Sequence, residues 1–307
     1  MQSIACIGEA MIELSVSNDD NHAAAINFAG DSLNTAIYLN RALEQAAHDC
    51  TVSYVSVVGT DSFSSQMLSF IESENLNTDL IGRHEQKIPG LYAISTDSHG
   101  ERSFTYWRNE SAAKELFSAN NYPTMDNLLD FDVIFYSAIS LAILPASIRE
   151  QWFAWLENYR KLPGKQVAFD SNYRPKLWDS ADEASSCIEK AWRLCDIALP
   201  SMDDEMAIFN DDNENQLLSR FKQYGVARGA VKRGHIGPRS LETGLELDDS
   251  ITTTQTQVVD STAAGDSFNG AYLASLAMSA SEPECLLAAH ETAAKVIMVK
   301  GAIVPRD

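Results

Sequence analysis

Basic residues are scarce in this 307-residue chain: 23 Lys and Arg stand against 43 Asp and Glu, a formal charge of −20. That balance excludes nucleic acid and anionic membranes as partners, because neutralising phosphates takes a basic face. Cysteine is sparse too. Cys6, Cys50, Cys187, Cys195 and Cys285 are odd in number and never form C-x-x-C, so reduced thiols of a cytoplasmic protein are expected rather than a disulfide framework. The six histidines never fall in a ligand spacing such as H-E-x-x-H, which excludes a tightly held transition metal. No apolar run approaches membrane-spanning length. Glu9 and Glu13 interrupt the first apolar stretch, so no signal-peptide core is read there. Neither G-x-x-x-x-G-K-[ST] nor G-x-G-x-x-G occurs, which removes the P-loop and counts against NAD.

What is present is an ordinary globular composition, 45% hydrophobic, in a chain long enough for one large α/β core or two smaller ones. Apolar patterning predicts strands at 3–8, 52–58, 133–136, 166–170, 196–199 and 229–232, and a strand end at Val258–Val259. Helical spacing falls at 33–43, 63–74, 148–160, 184–194 and 217–224, and again after Gly265. This alternation implies βαβ units and a mainly parallel sheet with helices on both faces. Asp170, Gly234 and Asp266 each follow a predicted strand, so they should gather at the carboxyl edge where such sheets bind ligands. Segments 10–27 and 88–109 break the alternation and read as strands of a small separate sheet. In the second, Phe104, Tyr106 and Arg108 share one face while Thr105 and Trp107 share the other. Asp248–Gln257 is a polar, Thr-rich connection.

The most informative stretch runs from Val258 to Phe268. Small residues lead into an amphipathic run in which Phe268, Ala271, Tyr272 and Leu276 recur at helical spacing, so a helix begins near Gly265–Asp266. Its first N–H groups and the positive end of its dipole would hold an anion, commonly phosphate. The carboxylate of Asp266 would stand beside that anion as a base. Plain N-capping and turn chemistry account equally well for this segment taken alone. Near the other end, Ala29–Gly30–Asp31–Ser32–Leu33–Asn34–Thr35–Ala36 also reads as a helix start. Lys232–Arg233–Gly234–His235–Ile236–Gly237 follows a strand with a Gly-x-x-Gly turn, which permits close backbone approach.

The early and late segments resemble the two signatures of the PfkB carbohydrate kinase family, the ribokinase-like sugar kinases. Those signatures read Gly-Gly-x-x-x-Asn-x-Ala and Asp-Thr-x-Gly-Ala-Gly-Asp. Here Ala29 replaces the first Gly, Ser261 keeps the hydroxyl of Thr, and Ala263 replaces Gly. The resemblance implies a three-layer α/β/α fold, with a mainly parallel central sheet and a small β-sheet lid. It implies a single kinase domain over 1–307, with lid segments about 10–27 and 88–109, and ATP with Mg2+ as cofactors. Asp266 would be the base, and the backbone at Ala263, Ala264 and Gly265 would hold the transferring phosphoryl group. Gly30, Asp31 and Asn34 would bind acceptor hydroxyls. Asn172, Lys232, Gly234 and Gly237 would lie beside the nucleotide. The family's Asn-x-x-Glu near magnesium is matched only in part by Pro200–Glu205, which lacks the Asn. Glu205 is therefore either the magnesium partner or part of a solvated helix start.

Longer matches are similar to the members of the family that phosphorylate 2-keto-3-deoxygluconate. They include residues 8–14, 59–63, 89–92, 106–110, 139–144, 172–175 and 301–306. In that group the residues matching Tyr92, Tyr106, Arg108 and Arg174 contact the keto-sugar acid, and the Arg174 segment also lies near ATP. Arginines in so acidic a chain suit a carboxylate, though ATP phosphates or a structural ion pair would employ them equally. The expected partners are a small sugar acid and ATP, in a homo-oligomer. A kinase of fructose or another neutral sugar is the first alternative, and a non-catalytic sugar-acid sensor the second.

Overall fold

The computed structural model describes residues 2–16, 24–96, 102–118, 123–226, 228–247 and 258–306. Strand β1 (Ser3–Ile7) shows how the main sheet forms. Its Ile4 and Cys6 enter one core while Ala5 and Ile7 enter another, so a short, continuous apolar run is buried on both faces. The same logic builds β4 (Thr51–Gly59), β8 (Val133–Ser137), β9 (Gln166–Asp170), β10 (Ile197–Ala198) and β11 (Arg228–Val231). With β5 (Ile81–His84) and β12 (Arg239–Ser240) they form an eight-stranded sheet in the order β12-β11-β10-β9-β8-β1-β4-β5. All its neighbours run parallel except β11 and β12.

Helices cover both faces. On one side lie α1 (Asp31–Gln45) and α2 (Ser62–Ser73); the other holds α4 (Ala146–Tyr159) and α5 (Ala181–Arg193), while α3 (Ala138–Ile143) directly follows β8. The chain continues through α6 (Met202–Phe209), α7 (Glu214–Tyr224), α8 (Ala264–Ala277) and α9 (Glu282–Val296). Helix α8 is buried on nearly every side, between α1 and α9. Its Gly270 lets α1 approach, since a Cβ there would lie 2.7 Å from both Leu39 N and Thr35 O. Val258 and Val259, expected to end a strand, are instead exposed coil. Two β-branched residues make a strand only beside a partner, and among the described residues these contribute one backbone bond, Val259 N to Ile297 O at 2.8 Å.

The second sheet has the order β3-β2-β6-β7, from β2 (Met11–Val16), β3 (Ala24–Ala29), β6 (Gly90–Thr96) and β7 (Arg102–Trp107). Its register aligns Asn27, Glu13, Tyr92 and Tyr106 in one row across all four strands. Phe104 and Tyr106 share a face, as the alternation requires, and both rings meet Tyr92. Residues 17–23 and 97–101 of the two expected lid segments lie outside the described residues, as does the 248–257 connection.

Candidate active site

Several chain ends converge at the carboxyl edge of the main sheet. Strand β8 ends in Ser137, β9 ends in Asp170, and Lys232 follows β11 directly. The N-termini of α1 and α8 open onto the same edge. Lys232 Nζ donates to Asp170 Oδ1 at 2.9 Å and to Asn269 Oδ1 at 3.0 Å. Asn269 Nδ2 donates in turn to Asp170 Oδ2 at 2.6 Å. The Asp31 carboxylate accepts from Ser137 Oγ and, at 3.0 Å, from Asn172 Nδ2. Asn34, one turn into α1, donates from Nδ2 to Asp266 Oδ2 at 2.8 Å.

Asp266 sits in the first turn of α8, partly exposed and with no ion-pair partner among the described residues. Desolvation pushes its pKa up to about 8. The nearby charges of Asp31 and Asp170 add to this, while Asn34 and Lys232 oppose it. The N–H groups of Gly265 and Asp266 have no partner among the described residues. That of Ala264 is already bonded to Ser261 O at 3.3 Å. Lys232 lies across this turn, since a Cβ on Gly265 would be 3.6 Å from its Nζ. Ala263 takes φ 61°, ψ 14°, the left-handed conformation that glycine adopts freely. Its methyl group costs about 1–2 kcal/mol there. Unpartnered helix-start N–H groups, a cation and a carboxyl of raised pKa thus share one edge, an arrangement compatible with phosphoryl transfer.

The family model for the pfkB carbohydrate kinases matches residues 1–307. This chain belongs to the PfkB family of carbohydrate kinases. It is 42% identical to the 2-dehydro-3-deoxygluconokinase of Escherichia coli (strain K12) over 309 residues, covering 100% of this chain and 98% of that one. Among solved structures it is similar to a 2-dehydro-3-deoxygluconokinase from Thermotoga maritima (TM-score 0.80, 18% identity, covering 99% of this chain and 94% of that one). It is also similar to a fructokinase with bound ATP from Xylella fastidiosa (TM-score 0.81, 23% identity, covering 98% and 93%). These structural likenesses establish the ribokinase-like fold with its separate small sheet.

Against that family frame, Gly30, Asp31, Asn34, Asn172, Lys232 and Gly265–Asp266 come together. Gly234 and Gly237 lie on the turn after β11, both at positive φ, with Gly237 O accepting from Arg233 Nε at 2.8 Å. Arg174 is exposed, its side chain donating to Tyr173 O at 2.8 Å. Tyr92 is buried and donates its hydroxyl proton to Glu13, which also accepts from Asn27 at 3.3 Å. Burial, then the Glu13 charge and hydrogen bond, raise the Tyr92 phenol well above its ordinary range. Asp266 adds to the shift, so Tyr92 lies within the field of that carboxyl. Tyr106 beside it is half-exposed. Arg108 is buried in an ion pair with Glu9.

Glu205 turns away from the edge. Trp192 Nε1 donates to it at 3.0 Å and Arg220 Nη1 at 2.8 Å, occupying both oxygens inside the core. Burial lifts it to about 7 despite those donors. Asp204, one residue earlier and therefore on another side of α6, faces the site. Its carboxylate accepts from Tyr173 N at 3.1 Å. It is raised by burial and by Asp170, and lowered by Tyr173 N–H, Arg174 and Lys232. The motif reading includes Asp204 within the 200–205 stretch but singles out neither it nor Asn269 as a site residue. Asn269 carried a usable signal, being a polar residue one turn beyond Asp266 in an apolar helix.

Proposed function

We propose that this PfkB kinase transfers the γ-phosphoryl group of ATP to the 6-hydroxyl of 2-keto-3-deoxygluconate, giving 2-keto-3-deoxy-6-phosphogluconate. The observation that carries the reading is the raised carboxyl of Asp266 beside the unpartnered N–H groups at the start of α8. Asp266 takes the hydroxyl proton as the substrate oxygen forms its bond to the γ-phosphorus and the bond from that phosphorus to the β-phosphate oxygen breaks, leaving ADP. Asn34 orients Asp266 through Oδ2, leaving Oδ1 for the acceptor. The Gly265 and Asp266 amides and the Lys232 ammonium offset charge on the transferring group, an effect worth roughly 3 kcal/mol per well-aimed donor. Asp31 and Asn172 meet the acceptor's hydroxyls. Magnesium supplies charge neutralisation on the phosphates, and the residue that fits it is Asp204. Among the described residues no group of three or more acidic, His or Cys side chains forms a cage. Magnesium is commonly held by one or two carboxylates plus substrate phosphates and water.

The four-stranded sheet serves as a lid over this edge within a single kinase domain, keeping water from the phosphoryl group. The whole-length identity to 2-dehydro-3-deoxygluconokinases supports the acid acceptor. One observation favours a neutral sugar instead: Arg108 is already paired with Glu9, and of these two arginines Arg174 is the one without a carboxylate partner among the described residues. A coupled ADP-release assay over sugars and sugar acids decides between them. Turnover on 2-keto-3-deoxygluconate well above that on fructose is expected; turnover on neutral sugars alone, or on none, would sink the reading.

A further inference from the structure

Among the described residues the chain crosses between its two sheets four times, at residues 8–10, at Gly30, at 85–89 and at 108–111. Glu9 lies in the first crossing and is 1% exposed. The other three close on it. A Cβ at Gly30 would fall 2.1 Å from the Glu9 carbonyl oxygen. A Cβ at Gly90, where the third crossing ends, would fall 2.7 Å from Glu9 Oε1. Arg108, which opens the fourth crossing and is 7% exposed, donates from Nη2 to Glu9 Oε2. The absence of a side chain at both glycines is thus explained by one carboxylate-bearing residue.

The ion pair is half of a fork. Arg108 Nε and Glu9 Oε1 are both buried, and neither has a hydrogen-bond partner among the described residues. Guanidinium and carboxylate commonly meet through two parallel bonds, and the second would satisfy both atoms together. Buried charged groups left partly unpaired are costly, so an arrangement that completes the fork is favoured over this one. A tilt of the small sheet, which shifts the start of the fourth crossing relative to the first, is a displacement that would complete it.

We propose that Glu9 is a positioning residue: with Arg108 it forms the pivot that sets the lid over the acceptor, gaining its second prong as the lid closes. The proposal rests on the kinase reading above. Its test uses full-length wild type, Glu9→Gln and Arg108→Lys, the last keeping the charge but unable to fork. Hydrogen exchange is measured along the chain, together with KM for acceptor and ATP and the ADP released without sugar phosphate. Glu9→Gln should speed exchange about tenfold in β2, β3, β6 and β7 and leave β1, β8 and β9 unchanged. Acceptor KM should rise about tenfold, ATP KM should hold, and uncoupled ADP release should grow as water reaches the phosphoryl group. If Glu9→Gln does not fold, the same signature is required of Arg108→Lys. Lid exchange at the wild-type rate, acceleration spread over the whole chain, or an unchanged acceptor KM would each overturn the proposal. Exchange is read without turnover, so a wild type inactive on every acceptor would remove the kinase reading and still leave Glu9 judged.

Discussion

Asp204 and Glu205 are adjacent acids with opposite surroundings. Glu205 is fully enclosed, with Arg220 and Trp192 on its two oxygens, whereas Asp204 shares the field of Asp170, Lys232 and Arg174. Removing the charge of Glu205 strands Arg220 with Asp211 as its remaining ion-pair partner, and breaking a buried pair typically costs about 3–5 kcal/mol. Glu205→Gln should therefore lower Tm while leaving the magnesium dependence of the folded enzyme in place. Asp204→Asn should do the reverse, raising the magnesium needed for half-maximal rate by roughly 10-fold or more with Tm little changed. Thermal melts and a magnesium titration of both variants check the split. Ala263 shows the same local accounting, since its left-handed backbone places a small strain next to the anion cradle.

At the level of elements, the contact between α1 and α8 matters most, because it joins Asn34 to Asp266. Gly270 permits that contact. Ala in its place gains about 1 kcal/mol of helix propensity but forces a Cβ against backbone atoms of α1, and such overpacking costs about 1–3 kcal/mol. The clash wins, since backbone cannot swing aside as a long side chain can. Gly270→Ala should lower Tm by a few degrees and also reduce kcat as Asn34 moves from Asp266. Melting and steady-state kinetics on one preparation would show both. Elements like these were largely legible in the sequence. The strands at 133–136 and 166–170 and the helix after Gly265 stand out because a continuous apolar run or a 3.6-residue period survives in a buried layer. Val258–Val259 misled because strand propensity does not reveal whether a partner strand is present. The Asp31, Asn34 and Asp266 cluster was reachable through two signatures. The Lys232–Asp170–Asn269 bonds and the Glu9–Arg108 pair were not, since each joins residues at least 37 positions apart whose meeting only the fold determines. Assigning the acid at α6 required knowing which side of the helix faced the core.

Taken whole, the molecule carries a charge of −20 and yet, as a kinase, must gather anionic ATP. Local cations and oriented amides must overcome that field, and the sheet's carboxyl edge concentrates them: Lys232, the first turn of α8 and the exposed Arg174. The same surroundings raise Asp266, through desolvation first and the neighbouring carboxylates second. Because this acid's folded pKa is raised to about 8, the free enzyme holds the proton at pH 6, has released about half of it at pH 8 and most of it about one unit higher. A base must be deprotonated to act, so activity should climb with pH across that interval. The most direct test is kcat/KM against pH for wild type and Asp266→Asn. Wild type should rise about tenfold per unit and level off near the Asp266 pKa, while the variant falls by roughly 10²-fold or more and loses the rise. Near-normal turnover in Asp266→Asn, or an ascending limb that persists in it unchanged, would contradict the assignment.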